Sequence, residues 1–196
     1  EYGLMIHNQS WATFGPTTIK YVSYFTMVSN ILAALVLTAP LAAPTARVAV
    51  WAETSATRIA VAVYVAVTAV IYHALLAGLW DPKGLTLAST TILHTLTPAA
   101  FLIDWLLRGG QGAALWSAAL KALPLPALYG AWTLIHGALS GFYPYGFLNV
   151  AQHGYPAVLA TMIVMFLGFL GLALAFTALH RARAKLLIGR AAPLSA

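Results

Sequence analysis

Apolar residues run along this chain in long blocks separated by short polar stretches. A helix needs roughly 20 apolar residues to cross a bilayer. Five blocks qualify: Tyr21 to Ala42, Arg58 to Leu79, Leu85 to Leu107, Leu123 to Leu139 and Pro156 to Leu179. Pro124 and Pro126 interrupt the entry of the fourth. The stretch before it, Ala113 to Lys121, reads as an interfacial turn of helix, with Lys121 snorkelling to the headgroups. Glu1 to Thr18 is too polar, and too broken by Gly15 and Pro16, to span. The pattern predicts an all-α fold, a polytopic membrane helical bundle forming a single transmembrane domain over residues 1–196. It shows no internal repeat and no separate soluble domain.

Composition supports lipid as the solvent. The chain is 61% apolar and 7% charged, with a mean hydropathy of +0.84, against about a quarter charged residues in a soluble domain. It contains no cysteine, which excludes disulfides, thiolate catalysis and thiolate metal sites. The net charge of +6 raises the question of nucleic acid. The basic residues lie at the ends of apolar runs without an aromatic-basic stripe, so no nucleic-acid partner is expected. Their distribution reads instead as topology. Arg47, Arg58, Arg108, Arg181, Arg183, Lys185 and Arg190 collect on one side, and Lys20 and Lys83 on the other. This predicts a multi-pass protein of the cell membrane with a cytoplasmic tail over 180–196 and an external, aromatic loop over 141–155. Trp51, Trp80, Trp105 and Trp116 fall near span ends as an interfacial belt. The chain begins at Glu1 rather than methionine, and the expectation is that a sixth, N-terminal span precedes it.

With this orientation, Thr26, His73, His94 and His136 all fall in the outer half of the bilayer. Ser23, Thr26 and Asn30 are spaced three and four apart and are expected on one helix face. Thr90 and Thr91 precede His94 by one turn, and Thr97 follows it. Pro98 lies four residues after His94, so the His94 carbonyl should lose its helical partner and the helix should kink, opening space beside the imidazole. Plainer roles exist for all of these. Membrane threonines commonly bond to their own backbone or join helices, and a membrane histidine can serve as an interhelical hydrogen-bonder. Asp104 is most simply an interfacial charge facing Arg108, and GALSG, Gly137 to Gly141, signals close packing.

The chemistry open to these residues includes nucleophilic catalysis. Desolvation disfavours imidazolium, so a membrane-buried histidine is neutral and able to accept a proton. Thr26 with His94 would supply nucleophile and base with no metal or cofactor, and Asn30 could donate to an oxyanion. An acyl ester entering sideways from the membrane lipids would suit that depth. The competing reading is haem, with His73, His94 and His136 as candidate axial ligands. A third is a transporter or scaffold whose polar residues line a pathway.

Four stretches carry a family resemblance: YFTMVSNILAAL from Tyr24, YHALLAGLWDPKGL from Tyr72, LHTLTPAAFLIDWLL from Leu93, and PALYGAWTLIHGALSGFYPYGFLNVAQHGY from Pro126. In their order and extent they resemble the androgen-induced gene and ADTRP-like family of intramembrane hydrolases, especially its bacterial six-helix members. The loop departs from the bacterial pattern YPYPFLD by Gly146 and Asn149. The resemblance implies a catalytic threonine at Thr26 and a catalytic histidine at His94. It also implies a lipid ester substrate of the kind formed by fatty acids with hydroxy fatty acids. Ser23, Asn30, Thr91, His73 and His136 are the expected supporting or substrate-contacting residues.

Overall fold

The computed structural model describes residues 11–110 and 114–191, and its regular elements are helices. Helix α1 (Trp11–Val22) leads through a break into α2 (Phe25–Ala42), and the short α3 (Arg47–Glu53) turns the chain. Helix α4 (Ser55–Ile71) ends in a π-helical turn, Tyr72–Leu76. A second π-turn, Ile92–Leu96, joins α5 (Gly84–Thr91) to α6 (Thr97–Arg108). Helices α7 (Ser117–Lys121), α8 (Pro124–Ser140) and α9 (Val150–Ala191) complete the chain, with a short 3-10 turn at Gly146–Leu148.

Five stretches are long and apolar enough to span a membrane: Phe25–Ala42, Ser55–Leu76, Gly84–Arg108, Ser117–Ser140 and Val150–Leu186. Each falls on one of the five blocks expected from sequence, and the fold is an all-α membrane helical bundle. The boundaries differ where local chemistry overrides hydropathy. The first span starts at Phe25, not Tyr21, because the chain breaks at Ser23 and Tyr24. The second starts three residues early, at Ser55, where the Thr54 hydroxyl accepts from the Thr57 N–H at 3.2 Å as an N-cap. The fifth starts at Val150, before Pro156, because Asn149 Oδ1 accepts from Ala151 N–H at 3.0 Å. Gly154, at φ +73°, then bends the helix at a conformation an L side chain resists. The loop expected over 141–155 is therefore confined to 141–149. The tail expected over 180–196 is helical to Ala191. Gly15 and Pro16 lie inside α1, which at 12 residues is too short to span. Residues 1–10, and with them most of the polar stretch Glu1 to Thr18, lie outside the described residues.

Helix α4 is the centre of the bundle. Ile59, Val61, Ala62, Val63 and Val65 are buried on it, so its middle turns are apolar all round, as a helix enclosed by others must be. Leu41, Leu107, Leu139 and Val164 point outward and are exposed, a surface compatible with lipid and not with water. In such a medium the helices keep their backbone hydrogen bonds internal. The break is buried at Ser23, whereas neither π-turn contains a fully buried residue.

One ionic cluster corrects the sequence reading. Arg58, expected at a span end among the basic residues of the cytoplasmic side, is only 2% exposed. It pairs with Asp104 and donates from Nε to the Gly109 carbonyl. Asp104 also accepts from Arg108 Nε at 2.6 Å, so it is not merely an interfacial charge. It is the counter-ion of a buried arginine, and the helical i,i+4 spacing to Arg108 shows only half of its role. Arg183 donates to the Trp105 and Leu107 carbonyls at 3.2 and 3.3 Å, satisfying the open C-terminal end of α6.

Candidate active site

The site is built on the break between α1 and α2. Tyr24 is extended (φ −80°, ψ 130°) and α2 begins at Phe25. Thr26 is thus the second residue of a helix, where backbone N–H groups have no helical acceptor. Its N–H donates to the Tyr145 hydroxyl at 3.4 Å. The break is held by one face of α8. Tyr129 donates from its hydroxyl to the Ser23 carbonyl at 2.9 Å, Trp132 Nε1 donates to Ser23 Oγ at 3.0 Å, and His136 Nδ1 lies 3.3 Å from the same oxygen. Residues 129, 132 and 136 follow helical spacing, so a single helix face clamps the interrupted turn. Ser23 consequently does not share a face with Thr26, as continuous helical spacing had suggested. It is fully buried against α8.

His94 sits in the second π-turn. There Thr97 N–H bonds to the Ile92 carbonyl, five residues back, and the wider turn is a form often found at functional sites. In that register the carbonyl facing the missing N–H of Pro98 is Leu93's rather than His94's. Asn30 Nδ2 donates to it at 3.1 Å. The expected proline disturbance is present, but it takes the form of a widened turn with a side chain from α2 filling the gap. His94 Nδ1 lies 3.0 Å from the Thr90 carbonyl. A carbonyl only accepts, so Nδ1 carries the proton and Nε2 presents its lone pair. That lone pair faces Thr26 Oγ1 at 3.3 Å. Tyr72, from the π-turn of α4, stacks on the imidazole with centroids 4.1 Å apart and planes 23° from parallel, fixing its tilt.

The other expected residues have separate places. Asn30 stays one turn from Thr26, but its amide hydrogens are committed to the Thr26 and Leu93 carbonyls. It ties the nucleophile's helix to the histidine's and is not placed to donate to an oxyanion. His73 Nε2 pairs with Thr95 Oγ1 at 3.0 Å, bridging the two π-turns. His136 stacks on Trp132, with centroids 5.2 Å apart, and serves the break. The three histidines considered for haem thus engage three different sets of partners. Thr91 is exposed on the helix surface. Its neighbour Thr90 is 2% exposed, and its hydroxyl has no partner.

Sequence reasoning assigned no role to Tyr145, Tyr72 or the Thr90 side chain. The sequence signal for Tyr145 is the uncharged, aromatic loop after α8. Tyr145 packs edge-on against Tyr24 with centroids 5.8 Å apart and stacks on Phe147 at 5.4 Å. Its hydroxyl lies 3.4 Å from Thr26 Oγ1 as well. Burial pushes this loop phenol above its ordinary value, so it remains an O–H donor at neutral pH.

Two cavities meet at Thr26, Leu76, His94 and Tyr145. One, of about 410 Å³, is lined by apolar side chains such as Val67, Ile71, Met162, Met165, Phe166 and Phe169. The other, of about 290 Å³, is an aromatic vestibule that includes Tyr21, Tyr24, Tyr72, Trp80 and Thr90. Neither is lined by Asp, Glu, Lys or Arg among the described residues.

Fold and site together define a multi-pass helical membrane protein with a threonine–histidine pair where an apolar cavity joins an aromatic vestibule. No family model, curated protein or solved structure matches the chain. The geometry of Thr26, His94 and Tyr145 is therefore what a functional reading rests on.

Proposed function

We propose that the protein hydrolyses a lipid ester within the bilayer, through an acyl-Thr26 intermediate. The observation that carries this is the 3.3 Å approach of Thr26 Oγ1 to His94 Nε2, with Nδ1 engaged by a carbonyl. A threonine hydroxyl is inert unless a base removes its proton as it attacks, and this tautomer leaves the lone pair on the correct nitrogen. The resemblance to the androgen-induced gene and ADTRP-like hydrolases points to the same two residues.

In the proposed reaction, Oγ1 of Thr26 bonds to the ester carbonyl carbon while its proton passes to His94 Nε2. The tetrahedral oxyanion accepts from the Thr26 backbone N–H and the Tyr145 O–H, the two donors released by the helix break and the loop. An oxygen about 3 Å from each completes a near-equilateral triangle with donors 3.4 Å apart. The C–O bond to the alcohol breaks as His94 returns its proton to the leaving oxygen. Water then attacks the acyl-threonine, giving its proton to Nε2. The carboxylic acid departs as Thr26 Oγ1 recovers the proton. The apolar lining of the larger cavity supports a substrate drawn from the membrane. The side preference of Lys and Arg supports a site in the outer half of the cell membrane and a cytoplasmic C-terminus.

The test is covalent labelling of the purified protein by a fluorophosphonate. The expected adduct is on Thr26, lost in Thr26→Ala and in His94→Ala with the fold retained. Unchanged labelling of Thr26→Ala refutes the nucleophile assignment.

A further inference from the structure

Resting on the hydrolase reading, we infer that the substrate is a neutral glycerol-type monoester, bound with its acyl chain in the apolar cavity and its polyol in the aromatic vestibule. The two cavities meet at the reacting pair, so an ester with its carbonyl at Thr26 must send one arm into each. Their chemistry decides which arm goes where. The larger cavity offers hydrocarbon and thioether surface, and of its polar residues Thr26, Thr68, His94, Tyr129 and Tyr145 only Thr68 and Tyr129 lie away from the junction. It suits a hydrocarbon chain.

The vestibule offers tyrosines, Trp80 and the Thr90 side chain. The Thr90 hydroxyl is buried and without a hydrogen-bond partner, an arrangement that costs free energy unless a ligand completes it. It is held one turn before His94, with its own carbonyl fixing the imidazole. A hydroxyl on the alcohol portion, two or three bonds from the ester, would therefore meet Thr90 while the leaving oxygen faces His94.

Volume sharpens the assignment. At ~30 Å³ per water-sized group, 410 Å³ holds roughly 14 methylenes and 290 Å³ roughly ten non-hydrogen atoms. The first accommodates most of a common fatty acyl chain. The second accommodates a glycerol unit with room to spare, whereas a second long chain would have to extend out through its open mouth. The described lining carries no lysine or arginine to meet a carboxylate. An ester of a hydroxy fatty acid, the substrate implied by the family resemblance, fits the vestibule less well on both counts.

The experiment compares kcat/KM of the protein in lipid nanodiscs for three palmitate esters: the glycerol monoester, the ethyl ester, and the ester on a mid-chain hydroxyl of a hydroxy fatty acid. The glycerol ester should be preferred. Thr90→Val should lower the ratio of glycerol ester to ethyl ester by about three- to tenfold, the loss expected for one neutral hydrogen bond. Thr90→Ser, which keeps a hydroxyl, should retain most of the ratio. A preference for the hydroxy fatty acid ester, or an unchanged ratio in Thr90→Val, overturns this inference and leaves the hydrolase standing. Turnover of none of the three, with no fluorophosphonate adduct on Thr26, overturns both.

Discussion

Tyr145→Phe removes a single oxygen from the proposed oxyanion site while leaving the ring that packs between Tyr24 and Phe147. Both polar contacts of that oxygen to Thr26, to its N–H and to Oγ1, are 3.4 Å long. They lie at the loose end of hydrogen-bond range, as expected of donors that tighten only around developing charge. Loss of one preorganised oxyanion donor costs about 10²–10³ in rate, roughly 2.7–4 kcal/mol. Because the Thr26 N–H remains, the lower end applies, about a hundredfold. The assay is the second-order rate of fluorophosphonate labelling, paired with kcat and KM on an ester. The fall should appear in the labelling rate and in kcat, with KM little changed, since the charge is absent from the ground state. Burial raises the Tyr145 pKa, and the donor form is the protonated one. Deprotonation therefore cannot begin to impair the wild type until the pH passes the ordinary tyrosine range, about 10. A Tyr145→Phe protein that labels as fast as wild type refutes the oxyanion assignment. A rise in KM alone would show that the hydroxyl only binds substrate.

Three further outcomes follow from the packing. Asn30→Leu strips the Leu93 carbonyl of the donor that replaces Pro98's missing N–H; thermal unfolding in detergent should show a loss of about 1–3 kcal/mol, and an unchanged midpoint would remove Asn30 as the tie between the two helices. A Cβ on Gly137 would overlap the Tyr143 ring. Gly137→Ala should therefore cost about 1–3 kcal/mol by overpacking and slow Thr26 labelling, because Tyr143 and Tyr145 share one short loop; normal labelling would uncouple them. Asp104→Ala leaves Arg58, 2% exposed, without its counter-ion and should destabilise by about 3–5 kcal/mol. The Asp104→Ala, Arg58→Met double variant should recover much of that loss, and failure to do so would place the cost elsewhere.

The amino-acid sequence determined the five membrane-spanning segments of this protein on its own. Hydropathy alone marks five spans because a segment in lipid must be apolar and must close its own hydrogen bonds, and both demands are local. His94 and Pro98 were visible for the same reason, as costly residues in an apolar run. Their consequence was foreseen in kind but not in form. Whether a proline kinks a helix or widens it into a π-turn depends on what can reach the freed carbonyl, and Asn30 reaches it from another helix.

The tertiary structure decided the rest. Nothing local in KYVSYFTM breaks a helix, since it contains no proline or glycine. The break is held by Tyr129, Trp132 and His136, more than a hundred residues away in the chain. That break releases the Thr26 N–H, separates Ser23 from the face it was expected to share, and lets Tyr145 approach. Arg58 and Asp104, 46 residues apart, likewise become a buried pair only when α4 and α6 meet. Local pattern fixes which residues are helical. Only contacts between distant helices fix where a helix stops, and the site is made at such a stop.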